Sequence, residues 1–288
     1  MKYYSKFDFK KSGILIGQAI KEDVGKGDIT SEYLISQDKK SKAVLKFKDT
    51  GIIAGLKIFR QVFEIIDRNV RINLLFKDGD SPPKGSIIAE LWGNTRSLLK
   101  GERISLNIIQ RMSGIASSVT NMKEILNNDK IKLIDTRKTT PNFRIFEKLA
   151  VRIGGGTNHR FGLYDMILIK DNHIEANGGI RNTLAMLGKI KKRTELKVEL
   201  EVKNLDELKT AVNYGKGLVD IVMLDNFPIS DVKKAVKMIK NRFKVEISGG
   251  ITLGNIHKYS GIKGINFISA GFLTHSVRSS DISLDFIS

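Results

Sequence analysis

Short apolar segments alternate with amphipathic segments through the second half of the chain. Six of the apolar segments have the composition of strands: residues 132–135, 166–169, 198–202, 221–224, 245–247 and 265–268. They begin roughly 20 to 33 residues apart, which is the length of a strand together with its crossover helix. This alternation predicts parallel βαβ units and therefore an α/β fold.

A polar or glycine-rich group stands at, or just beyond, the end of each predicted strand. These groups are Asp135-Thr136-Arg137-Lys138, Lys170-Asp171-Asn172-His173, Glu201, Asp225-Asn226, Ser248-Gly249-Gly250 and Ser269-Ala270-Gly271. In α/β barrels the carboxyl ends of the strands meet at one rim, where active sites are assembled. The pattern therefore predicts an enzyme with its site on this rim.

The residues in and near the rim segments fall into two classes of opposite charge. The cationic or potentially cationic donors are Arg103, Arg137, Lys138, His159, Arg160 and Lys170. Donors of this kind suit carboxylates and phosphates. The opposing carboxylates are Asp171, Glu201 and Asp225, and such oxygen ligands suit Mg²⁺ that also contacts substrate phosphates. We therefore expect a phosphorylated, polyanionic substrate and a Mg²⁺ cofactor.

Two further features refine the predicted site. Glycine-rich turns follow the last two predicted strands, where barrels often bind phosphate through backbone N–H groups. Glu199 and Glu201 lie on one predicted strand, and we expect them to point to opposite sides of it. On that expectation Glu201 belongs to the site and Glu199 has a structural role.

The first hundred residues lack the regular alternation. Residues 43–47 and 70–76 have the composition of strands, and residues 56–66 have that of a helix, which together predict a small α+β domain. Between residues 101 and 127, apolar side chains recur every three or four positions, the period of one helix face. We expect a long helix or a helix pair there.

The net charge raises a second class of function. The 288 residues include 49 Lys and Arg against 31 Asp and Glu, a formal charge of +18. Basic side chains neutralise nucleic-acid phosphates, so a nucleic-acid-binding protein is an alternative. The excess is spread along the chain, however, and clustered aromatic residues that could stack on bases are lacking. We therefore favour small anionic substrates and expect no nucleic-acid partner.

The cysteine count and the hydropathy of the chain exclude further classes of protein. The chain has no cysteine, which excludes disulfide scaffolds, thiolate zinc sites and cysteine nucleophiles. No uninterrupted apolar run reaches the roughly 18 residues that a membrane span requires. We expect a cytoplasmic protein without a membrane partner.

Several motifs occur in a fixed order along nearly the whole chain. They are EDVGKGDITS at 22–31, ERISLN at 102–107, SGIA at 113–116, DTRKTTP at 135–141, GGTNHR at 155–160, IKDNH at 169–173, MLDN at 223–226, SGGI at 248–251, SAG at 269–271 and LTHS at 273–276. In this combination the sequence closely resembles the quinolinate phosphoribosyltransferases, also called carboxylating nicotinate-nucleotide pyrophosphorylases.

The resemblance implies an activity. A phosphoribosyl group would pass from 5-phosphoribosyl 1-diphosphate (PRPP) to quinolinate, giving nicotinate mononucleotide, diphosphate and CO₂ in NAD biosynthesis. The implied quinolinate ligands are Arg103, Arg137, His159, Arg160 and Lys170. The implied ligands of PRPP and its phosphates are Thr136, Lys138, Ser248, Gly249, Gly250, Ser269, Ala270, Gly271 and His275. Lys138, Lys170, Glu201 and Asp225 would act electrostatically in catalysis, and Asp171, Glu201 and Asp225 would bind Mg²⁺, partly through water.

The resemblance also implies an architecture. It predicts an N-terminal α+β sandwich domain over residues 1–112 and an incomplete (β/α) barrel of the type II phosphoribosyltransferase kind over 113–275. A C-terminal tail, 276–288, would pack on the N-terminal domain. Members of the family are homodimers or higher homo-oligomers, and Arg103 would complete the neighbouring subunit's site.

The sequence departs from the family's usual residues at two positions, and one related group of proteins is an alternative assignment. Asn142 and Asn266 stand where the family usually has Gly and Asp, and we expect them to alter only loop or strand packing. A paralogous group associated with molybdenum transport shares much of the pattern. Its sequences resemble this chain less at IKDNH, so that segment favours the phosphoribosyltransferase.

Overall fold

The structure, a computed structural model, describes residues 2–5, 7–191 and 193–287. The helices are α1 (Phe9–Val24), α2 (Ile29–Leu34), α3 (Leu56–Ile66), α4 (Thr95–Leu126), α5 (Arg144–Ile153), α6 (Asp171–Ala176), α7 (Ile180–Lys191), α8 (Leu205–Tyr214), α9 (Ile229–Ile239) and α10 (Phe272–His275). The strands are β1 (Lys40–Phe47), β2 (Arg71–Leu74), β3 (Ser86–Asn94), β4 (Lys132–Ile134), β5 (Ile167–Ile169), β6 (Val198–Val202), β7 (Ile221–Asp225), β8 (Lys244–Ser248), β9 (Phe267–Ser269) and β10 (Ile282–Ile287).

The chain forms two compact units that interleave along the sequence. The first consists of Met1–Thr120, Thr139–Gly155 and Leu273–Ser288, and the second of Asn121–Lys138 and Gly156–Phe272. The predicted domains are contiguous, with boundaries at residues 112 and 275, and these boundaries stay a prediction. Their outermost residues, Met1 and Ser288, lie outside the described part of the chain.

The first unit contains an antiparallel sheet with the strand order β10-β1-β3-β2. Leu45 of β1 lies opposite Leu284 of β10 and Ala89 of β3, and all three are buried. Helix α3 adds Phe59 and Phe63 to the same core, with ring centroids 5.1 Å apart. Because these two positions are four residues apart, they lie on one face of the helix. The core therefore forms between a sheet and the apolar face of a helix.

The second unit contains a parallel sheet with the strand order β4-β9-β8-β7-β6-β5. Its strands end in register: Asp225 lies opposite Ser248, and Ile134 opposite Ser269. Strands β4 and β5 are the two ends of this sheet, and Thr157 forms a parallel bridge with Ile134 beside β4. The sheet is thus an incomplete barrel, and the predicted α/β fold class is confirmed.

Strand β6 shows how the barrel acquires a charged interior. Val198, Leu200 and Val202 alternate with Glu199 and Glu201, and all five side chains are buried. Residues two apart on a strand point to the same side of a sheet. Both glutamates act electrostatically on Glu246 of β8, in agreement with this shared face. The expectation that Glu199 and Glu201 face opposite sides was therefore wrong, because the pleat repeats every two residues.

Most predicted elements of the chain occur in the structure. All six predicted barrel strands are present, α3 has the predicted bounds, and the helix expected over 101–127 is the single continuous helix α4. Strands β3 and β10 and helix α1 were not predicted. Asn142 has φ 61°, a left-handed conformation that asparagine tolerates better than most residues. Asn266 accepts a hydrogen bond from Val245 N–H through Oδ1 at 2.8 Å. Both asparagines thus act on local backbone geometry.

Candidate active site

Residues with opposite charges follow the parallel strands of the second unit. Arg137 and Lys138 come shortly after β4, Asp171 follows β5, Glu201 lies one residue before the end of β6, and Asp225 ends β7. Because the strands are parallel and in register, these residues lie at one rim of the sheet. The geometry of this rim is that of a barrel active site.

Two guanidinium groups at the rim lie close enough to influence each other. The pKa of Arg160 is lowered, first by burial and then by the positive charge of Arg137, whereas Asp165 and Glu199 act in the opposite direction. Arg160 Nη1 also donates a hydrogen bond to Met166 O at 3.2 Å. Two neighbouring cations repel each other unless an anion lies between them. The pair is therefore suited to an anionic group.

Lys170 is the cation that pairs with the acidic residues of the rim. Its Nζ is 3.2 Å from Glu201 Oε2, and its side chain is 47% exposed. The pKa of Glu201 is raised, chiefly by burial; the Lys170 charge lowers it, and the charges of Asp225 and Asp171 raise it further. Lys170 thus stabilises a carboxylate that its environment otherwise disfavours, while about half of the Lys170 side chain is exposed.

The three predicted magnesium ligands are electrostatic neighbours and do not meet at one point. Asp171 and Asp225 both raise the pKa of Glu201. Within the described residues, however, the ligand atoms that gather within 4.8 Å of one another belong to His159, Glu199 and Glu246. A separated set of carboxylates fits Mg²⁺ that keeps several waters and also contacts substrate phosphates. The donor chemistry therefore fits this ion.

The turn after β8 has a geometry that requires glycine. Gly249 has φ +94°, and a Cβ atom there would lie 2.1 Å from Asn226 Oδ1 and 2.8 Å from Asn226 N. Asn226 is itself tied to the site, because its Nδ2 donates to Asp225 Oδ2 at 2.8 Å. Asn255 holds the other side of the turn through a hydrogen bond from its Nδ2 to Gly250 O at 2.7 Å. The predicted phosphate turn is thus packed against Asn226, which is hydrogen-bonded to the predicted metal ligand Asp225.

Three of the predicted phosphate ligands already have partners within the second unit. Ser269 Oγ is buried and donates to Ile247 O at 3.4 Å, and Ala270 N–H donates to Ile134 O at 3.1 Å. Thr136 Oγ1 accepts a hydrogen bond from Lys138 N–H at 3.0 Å. The Ser269 hydroxyl and the Ala270 N–H support the barrel, because both donate to neighbouring strands. The roles of Thr136, Ser269 and Ala270 as phosphate ligands stay predictions.

A buried cluster of three titratable residues lies inside the barrel. His159 Nε2 is 2.9 Å from Glu199 Oε2 and 3.7 Å from Glu246 Oε2. The pKa of Glu246 is raised well above its usual value, first by burial and then by the charge of Glu199. Sequence reasoning missed Glu246. Its signal was a charged residue between two apolar ones in the predicted strand 245–247, because a charge inside a core is rarely tolerated without a partner.

The raised pKa of Glu246 predicts a stability that depends on pH. The folded protein retains this proton at pH values where the unfolded chain has lost it, so stability falls as the pH rises above the unfolded value. Glutamine is neutral at every pH. Glu246→Gln is therefore expected to gain stability relative to the wild type as the pH rises above about 5, the range in which the unfolded glutamate loses its proton. Urea unfolding at several pH values measures the free energy of unfolding of both proteins. A difference between the two that stays constant with pH would contradict the prediction.

Two predicted site residues belong to the first unit. Arg103 lies on α4 with a side chain that is 62% exposed, and its Nη2 is 4.0 Å from Glu102 Oε1. His275 ends α10, and its Nδ1 lies 2.6 Å from Ser276 Oγ. Their roles as ligands stay predictions. Among the described residues, no helix is both long and apolar enough to cross a membrane.

The incomplete parallel barrel, the antiparallel sheet domain and the rim of arginines, lysine and carboxylates together define an α/β enzyme for anionic substrates. The family profile "Quinolinate phosphoribosyl transferase, N-terminal domain" matches residues 28–113, and "Quinolinate phosphoribosyl transferase, C-terminal domain" matches residues 115–285. The chain belongs to the quinolinate phosphoribosyltransferase family.

Individual relatives agree with this assignment. A "probable nicotinate-nucleotide pyrophosphorylase [carboxylating]" from Bacillus subtilis is 44% identical over 276 residues, which cover 94% of this chain and 92% of the relative. A chloroplastic nicotinate-nucleotide pyrophosphorylase [carboxylating] from Arabidopsis thaliana is 40% identical over 285 residues, covering 94% and 81%. The crystal structure of NadC from Streptococcus pyogenes is similar with a TM-score of 0.92 and 38% identity, covering 99% of this chain and 100% of that one.

Proposed function

We propose that this chain transfers the phosphoribosyl group of PRPP to quinolinate, with loss of CO₂, to form nicotinate mononucleotide and diphosphate. Membership of the family supports this reaction. The observation that carries the substrate assignment is the pair of neighbouring guanidinium groups of Arg137 and Arg160. Lys170, whose side chain is half-exposed, adds a third cation at the same rim. Three cations at one rim favour a small dicarboxylate such as quinolinate, because each carboxylate can accept from an arginine fork.

The acidic side of the rim supports the bond-breaking step. The pyridine nitrogen of quinolinate attacks the ribose C1 as diphosphate leaves, and positive charge develops on the sugar. Glu201 and Asp225 are placed near each other, and their negative charges stabilise this developing cation. The bond to the 2-carboxylate then breaks, CO₂ leaves, and the electron pair stays on C2 beside the cationic ring nitrogen. C2 takes up a proton from solvent to give nicotinate mononucleotide. Because the chain's residues act by position and charge, no protein nucleophile is required.

Magnesium is the proposed cofactor. When bound, Mg²⁺ neutralises the charge of the departing diphosphate. Asp171, Glu201 and Asp225 are the residues proposed to hold it, partly through water, because their carboxylates are electrostatic neighbours at the rim. We propose that the phosphates of PRPP are bound by Thr136, Lys138, the turns at Ser248-Gly249-Gly250 and Ser269-Ala270-Gly271, and His275.

The assembly and location are further proposals. A homodimer or higher homo-oligomer would allow Arg103 to reach the neighbouring subunit's site, and its 62% exposed side chain suits that role. We propose a cytoplasmic location, without a nucleic-acid or membrane partner. The molybdenum-transport group is not favoured, because the relatives reported above are named as pyrophosphorylases.

A direct assay tests the reaction. Purified protein is incubated with quinolinate, PRPP and Mg²⁺, and nicotinate mononucleotide and CO₂ are quantified. Equimolar formation of both products is expected. Turnover of nicotinate in place of quinolinate would refute the assignment, because that reaction releases no CO₂.

Arg137→Ala is expected to weaken quinolinate binding selectively. Removing one arginine fork from a carboxylate should raise KM for quinolinate about 30-fold, an effect of about 2 kcal/mol, with KM for PRPP changed much less. Steady-state kinetics with each substrate varied in turn measures this split. Arg242→Ala is the matched control, because Arg242 is exposed and donates to Val212 O away from the rim. Equal losses for the two substrates would contradict the assignment.

A further inference from the structure

Both ring nitrogens of His159 are engaged inside the second unit. Nδ1 accepts a hydrogen bond from the backbone N–H of Arg160 at 2.7 Å, and Nε2 lies 2.9 Å from Glu199 Oε2. A ring nitrogen that accepts from an N–H group carries no proton. The ring proton therefore lies on Nε2 and is donated to Glu199, so the tautomer is set from both sides.

Glu199 is well placed to be the acceptor. It lies within β6, between β5 and β7, and its side chain is fully buried. Glu246 approaches the same nitrogen only to 3.7 Å. Glu199 is therefore the acceptor within hydrogen-bond distance of the ring. Burial and sheet pairing give Glu199 little freedom to move away.

The segment around His159 is fixed on its other side as well. Asp135, directly after β4, accepts hydrogen bonds from His159 N–H at 2.8 Å and from Asn158 Nδ2 at 2.6 Å. Asp135 is fully buried. Asp135 therefore holds residues 158 and 159 through their N–H groups, and the His159 Nδ1 holds the backbone N–H of Arg160. A ring that turned or changed tautomer would release the N–H of Arg160.

We propose that Glu199 is a positioning residue for the dicarboxylate substrate: it fixes the tautomer of His159, whose Nδ1 anchors the backbone from which the Arg160 guanidinium extends. The inference rests on the proposed function, because it takes Arg160 as a ligand of quinolinate. It assigns a role to a residue that does not itself touch the substrate, and it explains why Glu199 is buried within hydrogen-bond distance of the His159 ring.

The first test is spectroscopic and uses the wild-type protein. The chain has four histidines, so the ring signals of His159 can be assigned in ¹⁵N-histidine-labelled protein by comparison with a His159→Gln variant. Long-range ¹H–¹⁵N spectra distinguish the two neutral tautomers. The expected result is a proton on Nε2 and none on Nδ1. A wild-type spectrum with the proton on Nδ1 would overturn the proposal, whatever the variants do.

The second test is kinetic. Glu199→Ala removes the acceptor, and KM for quinolinate is expected to rise about tenfold, with kcat and KM for PRPP within about twofold, because one hydrogen bond to a charged group is lost. Glu199→Gln retains an oxygen that accepts from Nε2–H, so it is expected to keep the tautomer and stay within about threefold of the wild type. Glu246→Gln, neutral like its protonated parent, is expected to behave as Glu199→Gln does.

The outcomes separate this inference from the proposed function. Equal rises in both KM values for Glu199→Ala, or a Glu199→Gln variant as impaired as Glu199→Ala, would indicate a structural role only and overturn the proposal. If Glu199→Ala does not fold, the wild-type tautomer spectrum and the kinetics of Glu199→Gln still test the proposal. Absence of wild-type turnover would overturn the proposed function and this inference with it, whereas turnover with an Nδ1–H spectrum would overturn this inference alone.

Discussion

Glu147→Ala is expected to destabilise the protein by about 3–5 kcal/mol, because it breaks a buried ion pair on one side only. Glu147 lies on α5 and is fully buried in the first unit. Its Oε1 accepts from Arg111 Nε at 2.7 Å and lies 2.6 Å from Arg111 Nη2. The variant would leave the partly buried guanidinium without its carboxylate.

The pair also connects two other segments of the first unit. Glu147 Oε2 accepts from Thr140 N–H at 3.2 Å, and Arg111 Nη2 donates to Thr274 O at 2.6 Å. Thr140 comes two residues after Lys138, and Thr274 directly precedes His275, so loss of Glu147 loosens chain segments that continue into predicted phosphate ligands. A fall in affinity for PRPP is therefore expected to accompany the loss of stability.

Denaturant unfolding measures the effect, and two further variants define its cause. Asp231→Ala removes a carboxylate from an exposed pair with Lys234 at 2.9 Å and should cost less than about 1 kcal/mol. The double substitution Arg111→Met with Glu147→Leu removes both charges and should be less destabilising than Glu147→Ala. If the double variant is the least stable of the three, the cost lies in packing and not in an unpaired charge.

The sequence alone predicts the barrel well, because its signal is local and repeated. Strands such as 221–224 are short, apolar and followed by a polar residue, so both the strand and the rim residue Asp225 can be recognised without tertiary information. The continuous helix α4 follows from its apolar period in the same way. Strand β10 could not be predicted, because its pairing with β1 joins residues more than two hundred positions apart.

Local sequence patterns could not predict which buried polar side chains pair with each other. Arg111 and Glu147 lie on different helices, and only the folded first unit brings them together. Glu199 and Glu246 lie on strands β6 and β8, which are separated in the sheet by β7. The error about Glu199 has a different origin, since the two-residue period of a strand already places Glu199 and Glu201 on one face. Correct use of that period would have predicted a cluster of interior carboxylates.

Glu201→Ala is expected to lower kcat about 10²–10³-fold, the loss typical of removing one preorganised group that stabilises charge in a transition state. Glu201 is the buried carboxylate of the rim, paired with Lys170 at 3.2 Å. Its pKa is raised by burial and by Asp225 and Asp171, which shows that negative charge is concentrated there. Concentrated negative charge in a poorly hydrated site acts strongly on a cationic sugar.

Two further variants distinguish the effect of the Glu201 charge from the effect of its size. Glu201→Gln keeps the size of the side chain and removes its charge, so it should lose nearly as much kcat as Glu201→Ala. Asp231→Ala removes a carboxylate from the exposed surface of α9 in the same unit and should leave kcat unchanged. Single-turnover kinetics with saturating quinolinate, PRPP and Mg²⁺ measures the chemical step. Near-normal turnover by Glu201→Gln would mean that the carboxylate acts through packing, and the electrostatic role would then pass to Asp225, which Asp225→Asn tests in the same assay.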